Sequence, residues 1–309
     1  MTPDLAHFKP RDLPDLTGTR AVVTGANSGI GVHTARALAE HGAEVVLACR
    51  NTDAAAQVAA EIDGATVVEE LDLASQDSVH AFASRFEGPL DLLINNAGVM
   101  TPPKYRETAD GFELQLGTNH LGHFALTGLL LPALLQAAAP RVVTVASVAH
   151  HRGDESVLEG NPESSYNASK TYGNAKLANL LFALELHRRA QAAGSLLVSV
   201  AAHPGVSATN LVTSPDGMGA NRVVRRVGPY LLPLVMQSAA AGANPTLWAA
   251  TYAEPGSYVG PQRFREVRGP LGTARLSRYA RDPELATKLW DLSEKQTSVT
   301  IDLSGDLTG

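Results

Sequence analysis

Hydrophobic and polar positions alternate between two patterns along most of the chain. Short runs of β-branched and other apolar residues predict buried strands, and the stretches between them have the helical spacing of apolar residues. The predicted strands are residues 20–24, 44–48, 65–70, 90–95, 141–147 and 196–201, and the predicted helices are residues 31–41, 54–62, 75–86, 111–138 (broken once), 172–193 and 282–294. This alternation is typical of βαβ units, so the sequence predicts an α/β fold with a doubly wound parallel sheet.

The last third of the chain follows a less regular pattern. Residues 207–258 are richer in glycine and proline and contain only short helical stretches. We expect a core over about residues 18–211 and an elaboration of it over about residues 207–280, so that residues 1–309 form a single domain. Within the elaboration, three arginines (222, 225 and 226) and the apolar residues up to 236 favour a lid with a solvated basic face over a segment on a membrane surface.

Composition narrows the class of protein. The net charge of −6 is spread along the chain without a basic stripe, which argues against a nucleic-acid partner. The first residues are polar and contain prolines, and no apolar run reaches the roughly eighteen residues of a transmembrane helix, so we expect neither a secretory signal nor a membrane span.

The only cysteine, Cys49, excludes an internal disulfide, fits a cytoplasmic location and is interpreted as a small buried residue. Adjacent His150 and His151 would point to opposite faces of a strand, so no metal site is expected.

A glycine-rich segment links the first strand to the first helix. It has the sequence Thr24-Gly25-Ala26-Asn27-Ser28-Gly29-Ile30-Gly31. Glycines allow a backbone to approach a pyrophosphate, and the N-terminus of the helix offers unpaired N–H groups and the positive end of the helix dipole. An ordinary turn is the alternative, but the position at the start of the sheet favours a dinucleotide site of the Rossmann type. The expected cofactor-binding residues here are Gly25, Asn27, Ser28, Gly29, Ile30 and Gly31.

The end of the second strand bears on which dinucleotide is bound. A carboxylate at this point would bind the ribose 2′-hydroxyl and select NAD(H). The sequence has Arg50 instead, and a guanidinium can pair with a 2′-phosphate. We therefore expect NADP(H), with NAD(H) less favoured. A solvated surface arginine is the alternative interpretation.

Further motifs occur in an order that is characteristic of one family. They are Asp72-Leu73, Asn96-Ala97-Gly98, Asn119, Ser147 and a Tyr-x-x-x-Lys pair. With the glycine-rich segment, they resemble the short-chain dehydrogenase/reductase family over about residues 18–211. The resemblance implies that Asp72 and Leu73 flank the adenine, and that Asn96, Ala97 and Gly98 line the cofactor and stiffen the sheet.

Two Tyr-x-x-x-Lys pairs lie close together, Tyr166–Lys170 and Tyr172–Lys176. We favour the second, because Tyr172 opens a long amphipathic helix, whereas Tyr166 falls in a polar stretch that is expected to be a loop. The continuation Lys-Leu-Ala-Asn also resembles the retinol-dehydrogenase-like branch of the family. The light-dependent protochlorophyllide reductases are similar to this branch.

The chemistry of hydride transfer explains why a tyrosine and a lysine occur together. Hydride transfer to a carbonyl needs an acid that protonates the oxygen, and the ordinary pKa of tyrosine, about 10, is high for this purpose. Lys176 lies one helical turn from Tyr172, and we expect its charge to lower the pKa of the phenol and its amine to hold the nicotinamide ribose. By the resemblance, Ser147 binds the substrate oxygen, and Asn119 completes a proton relay through the lysine and water.

The residues after the last predicted strand resemble another family segment. In the family, the backbone of a Pro-Gly segment contacts the nicotinamide carboxamide, which implies this function for Pro204, Gly205 and Val206. Thr209 is expected to reach a cofactor phosphate.

These features predict an NADP(H)-dependent oxidoreductase that transfers hydride between nicotinamide and a carbonyl or alcohol carbon. Apolar residues after 207 favour a small lipophilic alcohol, aldehyde or ketone as the substrate. Two alternatives stay open: a carbon–carbon double-bond reductase of the protochlorophyllide reductase type, and a non-catalytic NADP(H)-binding sensor. The helices over residues 119–138 and 172–193 resemble those that pair family members into homodimers or homotetramers, whereas the C-terminal segment would block such contacts.

Overall fold

A mostly parallel sheet forms the centre of the protein. The computed structural model describes residues 2–208 and 237–304, and its strands are β1 (Arg20–Thr24), β2 (Glu44–Cys49), β3 (Thr66–Glu70), β4 (Leu92–Asn95), β5 (Arg141–Val145), β6 (Val198–Ala202), β7 (Ser207–Ala208), β8 (Gln237–Ser238), β9 (Tyr258–Arg263) and β10 (Arg268–Thr273). Eight of them form one sheet in the order β10-β9-β6-β5-β4-β1-β2-β3, and β7 pairs with β8 separately. Only β9 and β10 pair antiparallel in the large sheet. The strand order reverses between β1 and β4, and this reversal creates a crevice at the carboxyl ends of the strands.

Helices cover both faces of this sheet. They are α1 (Gly29–Glu40), α2 (Thr52–Ala60), α3 (Gln76–Arg85), α4 (Leu114–Leu116), α5 (Gly122–Leu129), α6 (Leu131–Leu134), α7 (Ala168–Ala192), α8 (Ala239–Thr251) and α9 (Pro283–Thr297). Buried residues of α1, α2 and α8 pack on one face, and those of α3, α5 and α7 pack on the other. The predicted doubly wound α/β fold is therefore confirmed.

The long helix predicted over residues 111–138 is interrupted twice instead of once. A π-helical turn, Gly117–Leu121, separates α4 from α5. A second interruption at Leu130 separates α5 from α6, whose first turn contains Pro132. Proline has no N–H to donate, so it is accepted in the first turn of a helix and not in its interior.

Helix α7 begins four residues earlier than predicted. Asn167 occupies the N-cap position, and its Oδ1 accepts the N–H of Lys170 at 3.0 Å. The polar residues before Tyr172 therefore start the helix, because asparagine is a favoured N-cap. Tyr172 lies in the second turn, where the helix already holds its backbone.

The sheet extends further than the sequence pattern predicts. Strands β9 and β10 form a hairpin that continues the sheet beyond β6. Both contain residues that are unfavourable in strands, including Gly260, Pro261 and Gly269, which explains why no strand was expected here.

Both tryptophans are core residues, as predicted. Trp248 of α8 packs edge-on against Phe8, with ring centroids 5.4 Å apart. On the other face, Trp290 of α9 contacts Phe124 of α5 and Phe182 of α7, at centroid distances of 5.1 and 5.8 Å. Helix α9 therefore covers α5 and α7.

Residues 209–236 lie outside the described part of the chain. The predictions for Thr209, and for a lid formed by residues 222–236, concern this stretch. Among the helices in residues 2–208 and 237–304, none is long and apolar enough to cross a membrane.

Candidate active site

The glycine-rich loop forms a cradle at the carboxyl end of β1. Gly25 and Gly29 have left-handed backbone conformations, with φ of 66° and 57°, which glycine adopts without a steric cost. A Cβ on Gly31 would lie 2.3 Å from the carbonyl oxygen of Gly25, so the close crossing of loop and helix requires glycine. Ser28 is the N-cap of α1 but makes no side-chain bond to its first turn. The loop residues beside these are the half-buried Asn27 and Ile30. An uncapped helix N-terminus behind a glycine crossing fits a diphosphate group.

The residues expected around the adenosine half of the cofactor follow β2 and β3. Arg50 comes directly after β2, is exposed, and forms no ion pair with any described residue. The Oδ1 atom of Asp72 accepts the N–H of Ala74 at 3.0 Å. Leu73 is buried, and its carbonyl oxygen would lie 2.4 Å from a Cβ on Gly122. Arg50 thus lies exposed at this edge, while Asp72 and Leu73 belong to a tightly packed turn.

Cys49 lies at the end of β2, beside Arg50, and is 1% exposed. Burial raises the pKa of its thiol to about 11. Its interpretation as a small buried residue is therefore confirmed.

Thr24 connects the cradle to the strand β4 next to it. Its Oγ accepts the N–H groups of Asn96 and Ala97, each at 2.9 Å, and the Asn96 side-chain amide donates to the Thr24 carbonyl at 2.8 Å. The same Oγ lies 2.9 Å from Nε2 of His123. Nδ1 of His123 donates to the Asn119 carbonyl at 2.8 Å, and burial lowers the pKa of the ring to about 4. The neutral ring therefore accepts the Thr24 hydroxyl proton at Nε2.

Asn119 lies in the π-helical turn and is fully buried. Its side chain pairs with the backbone of Val99, accepting the N–H at 2.7 Å and donating to the carbonyl at 3.0 Å. A Cβ on Gly98 would lie 3.0 Å from Oδ1 of Asn119 and 3.7 Å from Nζ of Lys176. The structure therefore brings Gly98, Asn119 and Lys176 to one place, although the Asn119 side chain bonds to Val99.

Tyr172, Lys176 and Ser147 meet where β5 ends and α7 passes. Ser147 lies beside Tyr172, and its hydroxyl favours the ionised form of the phenol. Lys176 is 5% exposed, donates to the Val145 carbonyl at 2.9 Å, and has its Nζ 5.9 Å from the centroid of the Tyr172 ring. An acid, a hydroxyl and a cation therefore share one small region at the carboxyl edge of the sheet.

The pKa of Tyr172 differs from the expectation. Burial raises it to about 12, while the hydrogen bond to Ser147 and the charge of Arg152 act in the opposite direction to a smaller extent. Burial also lowers the pKa of Lys176 to about 8. The expected lowering of the phenol pKa by Lys176 is absent here, because its ammonium group donates to the end of β5 and desolvation dominates.

The other tyrosine–lysine pair has different partners. The Tyr166 hydroxyl donates to the Pro102 carbonyl at 2.6 Å, and Lys170 forms an ion pair with Asp154. Tyr166 follows a short turn before α7, as the loop prediction requires. It is Tyr172 that the structure brings to Ser147.

His150 holds the backbone of Ser147, a function that the sequence did not predict. It is fully buried in a short 3₁₀ turn, where Nδ1 donates to the Ser147 carbonyl at 2.7 Å and Nε2 accepts the Ser277 N–H at 3.2 Å. The rings of His150 and His151 have centroids 4.1 Å apart and planes tilted by 35°. Adjacent side chains point to opposite faces in a strand, but here a 3₁₀ turn begins directly after Ser147 and brings the two rings together. The only available signal was the position of His150 three residues after the serine.

The segment 203–206 follows β6 and passes beside the β9–β10 hairpin. Gly205 has a φ of 66°, and its N–H donates to Nδ1 of the buried His203 at 3.2 Å. The Val206 N–H donates to the Val267 carbonyl at 2.9 Å. Pro204, Gly205 and Val206 are therefore held at the carboxyl end of β6, beside the strand that leads to Ser147.

The doubly wound fold, the glycine cradle and the tyrosine–lysine pair define the class of protein, an oxidoreductase that uses a nicotinamide dinucleotide. A model of the short chain dehydrogenase family matches residues 19–216, and the chain belongs to this family.

Its relatives place the chain in the retinol-dehydrogenase-like branch. It is 40% identical over 295 residues to retinol dehydrogenase 11 of Homo sapiens, covering 93% of this chain and 88% of that protein. It is also 40% identical over 299 residues to polyprenol dehydrogenase of Mus musculus, covering 92% and 85%. An uncharacterized protein from Mycobacterium paratuberculosis, whose crystal structure is known, is 43% identical, has a TM-score of 0.81, and covers 96% of this chain and 99% of its own.

Proposed function

We propose that the chain is an NADP(H)-dependent oxidoreductase that interconverts a lipophilic alcohol and its aldehyde or ketone. The observation that carries this proposal is the buried Lys176, whose Nζ lies 5.9 Å from the centroid of the Tyr172 ring, with Ser147 beside the same phenol. These side chains lie at the same edge of the sheet as the glycine cradle of residues 25–31.

The exposed Arg50 supports NADP(H) as the cofactor. Arg50 is the residue directly after β2, the strand whose end borders the adenosine ribose in this fold. An acidic residue at this position would favour NAD(H), and this chain has an arginine instead. The cradle would hold the diphosphate, and Lys176 and segment 204–206 would hold the nicotinamide riboside. When bound, NADP(H) supplies or accepts the hydride.

Tyr172 would provide the proton. Because burial raises the pKa of its phenol to about 12, the hydroxyl group is protonated at neutral pH and can donate to a carbonyl oxygen that gains negative charge. Ser147 would bind the same oxygen. The Ser147 hydroxyl and the charge of Arg152 favour the ionised form of Tyr172 and would stabilise the phenolate that forms. Lys176, with a pKa of about 8, is mostly cationic at pH 7 and would hold the nicotinamide ribose. In alcohol oxidation, the phenolate would accept the proton.

Two observations support a lipophilic substrate. The relatives named above are a retinol dehydrogenase and a polyprenol dehydrogenase, and both names refer to long hydrocarbon alcohols. Tyr105 and Tyr166 also stack edge to face, with centroids 5.6 Å apart, in the loops after β4 and before α7. An aromatic pair in these loops would provide an apolar wall beside the carboxyl edge of the sheet.

A fluorescence titration with NADPH and with NADH, run beside turnover assays, tests the proposal. The carbonyl panel should contain a retinal, a polyprenal, a steroid ketone and a short water-soluble aldehyde as the polar control. We expect tighter binding of NADPH than of NADH, and NADPH oxidation with at least one long-chain carbonyl. Tight NADPH binding without turnover of any carbonyl would favour a sensor, and no dinucleotide binding would refute the proposal.

A further inference from the structure

A second group of buried polar residues lies behind segment 203–206, and the mechanism above does not use it. It contains His203, with no exposed surface, and Glu266, which is 5% exposed. The two residues belong to different elements: His203 is the first residue after β6, and Glu266 lies in the turn of the β9–β10 hairpin. A buried carboxylate that faces a buried imidazole calls for a physical explanation, because both groups lose hydration.

The hydrogen bond of His203 decides which ring nitrogen carries the proton. Nδ1 accepts the N–H of Gly205, and burial lowers the pKa of the ring to about 3, so the imidazole is neutral. A neutral imidazole that accepts at Nδ1 carries its proton on Nε2. Nε2 lies 3.6 Å from Oε2 of Glu266 and has no hydrogen-bond partner among the described residues, so the carboxylate acts on the proton-bearing nitrogen through its charge.

The hairpin turn holds Glu266 in this position. Oε1 accepts the N–H of Arg275 at 2.9 Å. Phe264, Arg265 and Glu266 have φ of 53°, 56° and 66°, a run of left-handed residues without glycine. Such conformations persist only where the surrounding structure imposes them. In β9, a Cβ on Gly260 would lie 1.8 Å from Nε2 of His203. The imidazole therefore fits only because residue 260 is a glycine.

The same hairpin also fixes the backbone that His203 contacts. The Val267 carbonyl accepts the N–H of Val206 at 2.9 Å. A Cβ on Gly205 would lie 2.2 Å from that carbonyl, so the two backbones are in close contact. Segment 204–206 is thus held twice, by the imidazole at Gly205 and by the hairpin at Val206.

We propose that Glu266 and His203 are positioning residues for the nicotinamide end of the cofactor. The carboxylate keeps the proton of His203 on Nε2, which leaves Nδ1 as the acceptor that orients the Gly205 N–H and, with it, the backbone of residues 204–206. Without the carboxylate, the tautomer with its proton on Nδ1 becomes competitive, and two donors then face each other at Gly205. This inference rests on the proposed function, because it gives segment 204–206 a cofactor to orient.

Substitutions at position 203 test the acceptor. His203→Leu removes it, whereas His203→Asn supplies a side-chain oxygen two residues before Gly205, the arrangement of an Asx-turn. Affinities for NADPH and for 2′-phospho-ADP-ribose, which lacks nicotinamide, are measured for both variants, with thermal melting as the check on folding. We expect His203→Leu to weaken NADPH binding about tenfold and to leave the fragment unchanged, since an unpaired buried N–H is costly. We expect His203→Asn to restore most of the loss.

Glu266→Gln tests the tautomer in two backgrounds. With His203 present, we expect a several-fold loss of NADPH affinity and a lower kcat. In the His203→Asn background, Glu266→Gln should have no further effect, because no tautomer is left to select. Arg265→Gln is the matched control: it removes an exposed positive charge from the same turn, retains Glu266 and the Arg275 N–H that holds it, and should change nothing.

The outcomes separate this inference from the proposed function. If the wild-type chain binds neither NADPH nor NADH, the proposed function fails. If it binds NADPH, then equal weakening of NADPH and fragment, or the same loss from Glu266→Gln in both backgrounds, overturns the positioning function. If NADH is the tighter ligand, the same comparison is made with NADH and ADP-ribose.

Discussion

Oγ of Thr24 and Nε2 of His123 lie 2.9 Å apart, so the end of β1 is joined directly to the first turn of α5. The same hydroxyl accepts the N–H groups of Asn96 and Ala97, and the other nitrogen of the ring binds the Asn119 carbonyl. A single threonine therefore connects the glycine cradle, the loop after β4 and the π-helical turn.

Thr24→Val should destabilise the protein by an amount on the order of 2 kcal/mol, because it leaves two partly buried N–H groups without an acceptor. Urea denaturation measures this loss. Thr251→Val is the control: its hydroxyl donates only to the Leu247 carbonyl within its own helix, at 2.9 Å, so we expect a loss below about 1 kcal/mol. Similar losses in the two variants would show that the Thr24 contacts carry no special weight.

Tyr172→Phe should lower turnover by at least about a hundredfold, the usual contribution of a general acid, with little effect on dinucleotide affinity. Tyr166→Phe removes only the hydroxyl that bonds the Pro102 carbonyl and should retain most of the activity. Steady-state kinetics with the best carbonyl of the panel makes the comparison. A large loss from Tyr166→Phe and a small one from Tyr172→Phe would assign the chemistry to the other pair.

Arg50→Asp should shift the cofactor preference toward NADH. The substitution removes a charge-assisted bond to the 2′-phosphate and adds repulsion, so the ratio of NADPH to NADH affinity should fall by about ten- to a hundredfold. Arg11→Asp, at an arginine whose side chain is 86% exposed in the N-terminal segment, should leave the ratio as it is. An unchanged ratio in Arg50→Asp would mean that another group recognises the phosphate.

The protein should lose stability between pH 6.5 and pH 4. Burial lowers the pKa of four histidines to about 3 or 4, and these are His120, His123, His150 and His203. Below pH 6.5 the unfolded chain binds protons at these positions and the folded chain does not. The contribution of these histidines to the free energy of unfolding is therefore complete above pH 6.5 and decreases as the pH is lowered. The expected slope is about 1.4 kcal/mol per pH unit for each histidine.

Urea denaturation at pH 7, 6 and 5 measures this slope. Replacing the exposed His80 by Gln should leave the slope unchanged, whereas a protein equally stable at pH 5 and pH 7 would contradict the prediction.

The sequence was most informative where a residue acts through its own local segment. Gly25, Gly29 and Gly31 follow from the backbone demands of one turn. Tyr172–Lys176 was chosen over a pair of equal spacing because a long helix follows it and because its continuation resembles the family motif. The residues that were missed act across the fold. His150 reaches Ser277 and Glu266 reaches His203, and these distances in sequence carry no periodic signal. Likewise, β9 and β10 form strands because β6 offers an edge, despite their glycines and prolines.

The burial of Cys49 has a practical consequence for experiments on this chain. The only thiol has a pKa of about 11 and 1% exposure, so maleimides and mild oxidants should leave it unmodified at neutral pH. A cysteine introduced in place of Phe264, a side chain 67% exposed at the turn of the β9–β10 hairpin, would then be the single labelling position. One fluorophore at that turn would report on the end of the cleft where we propose that the nicotinamide binds, and Cys49 would not have to be removed to make the label selective.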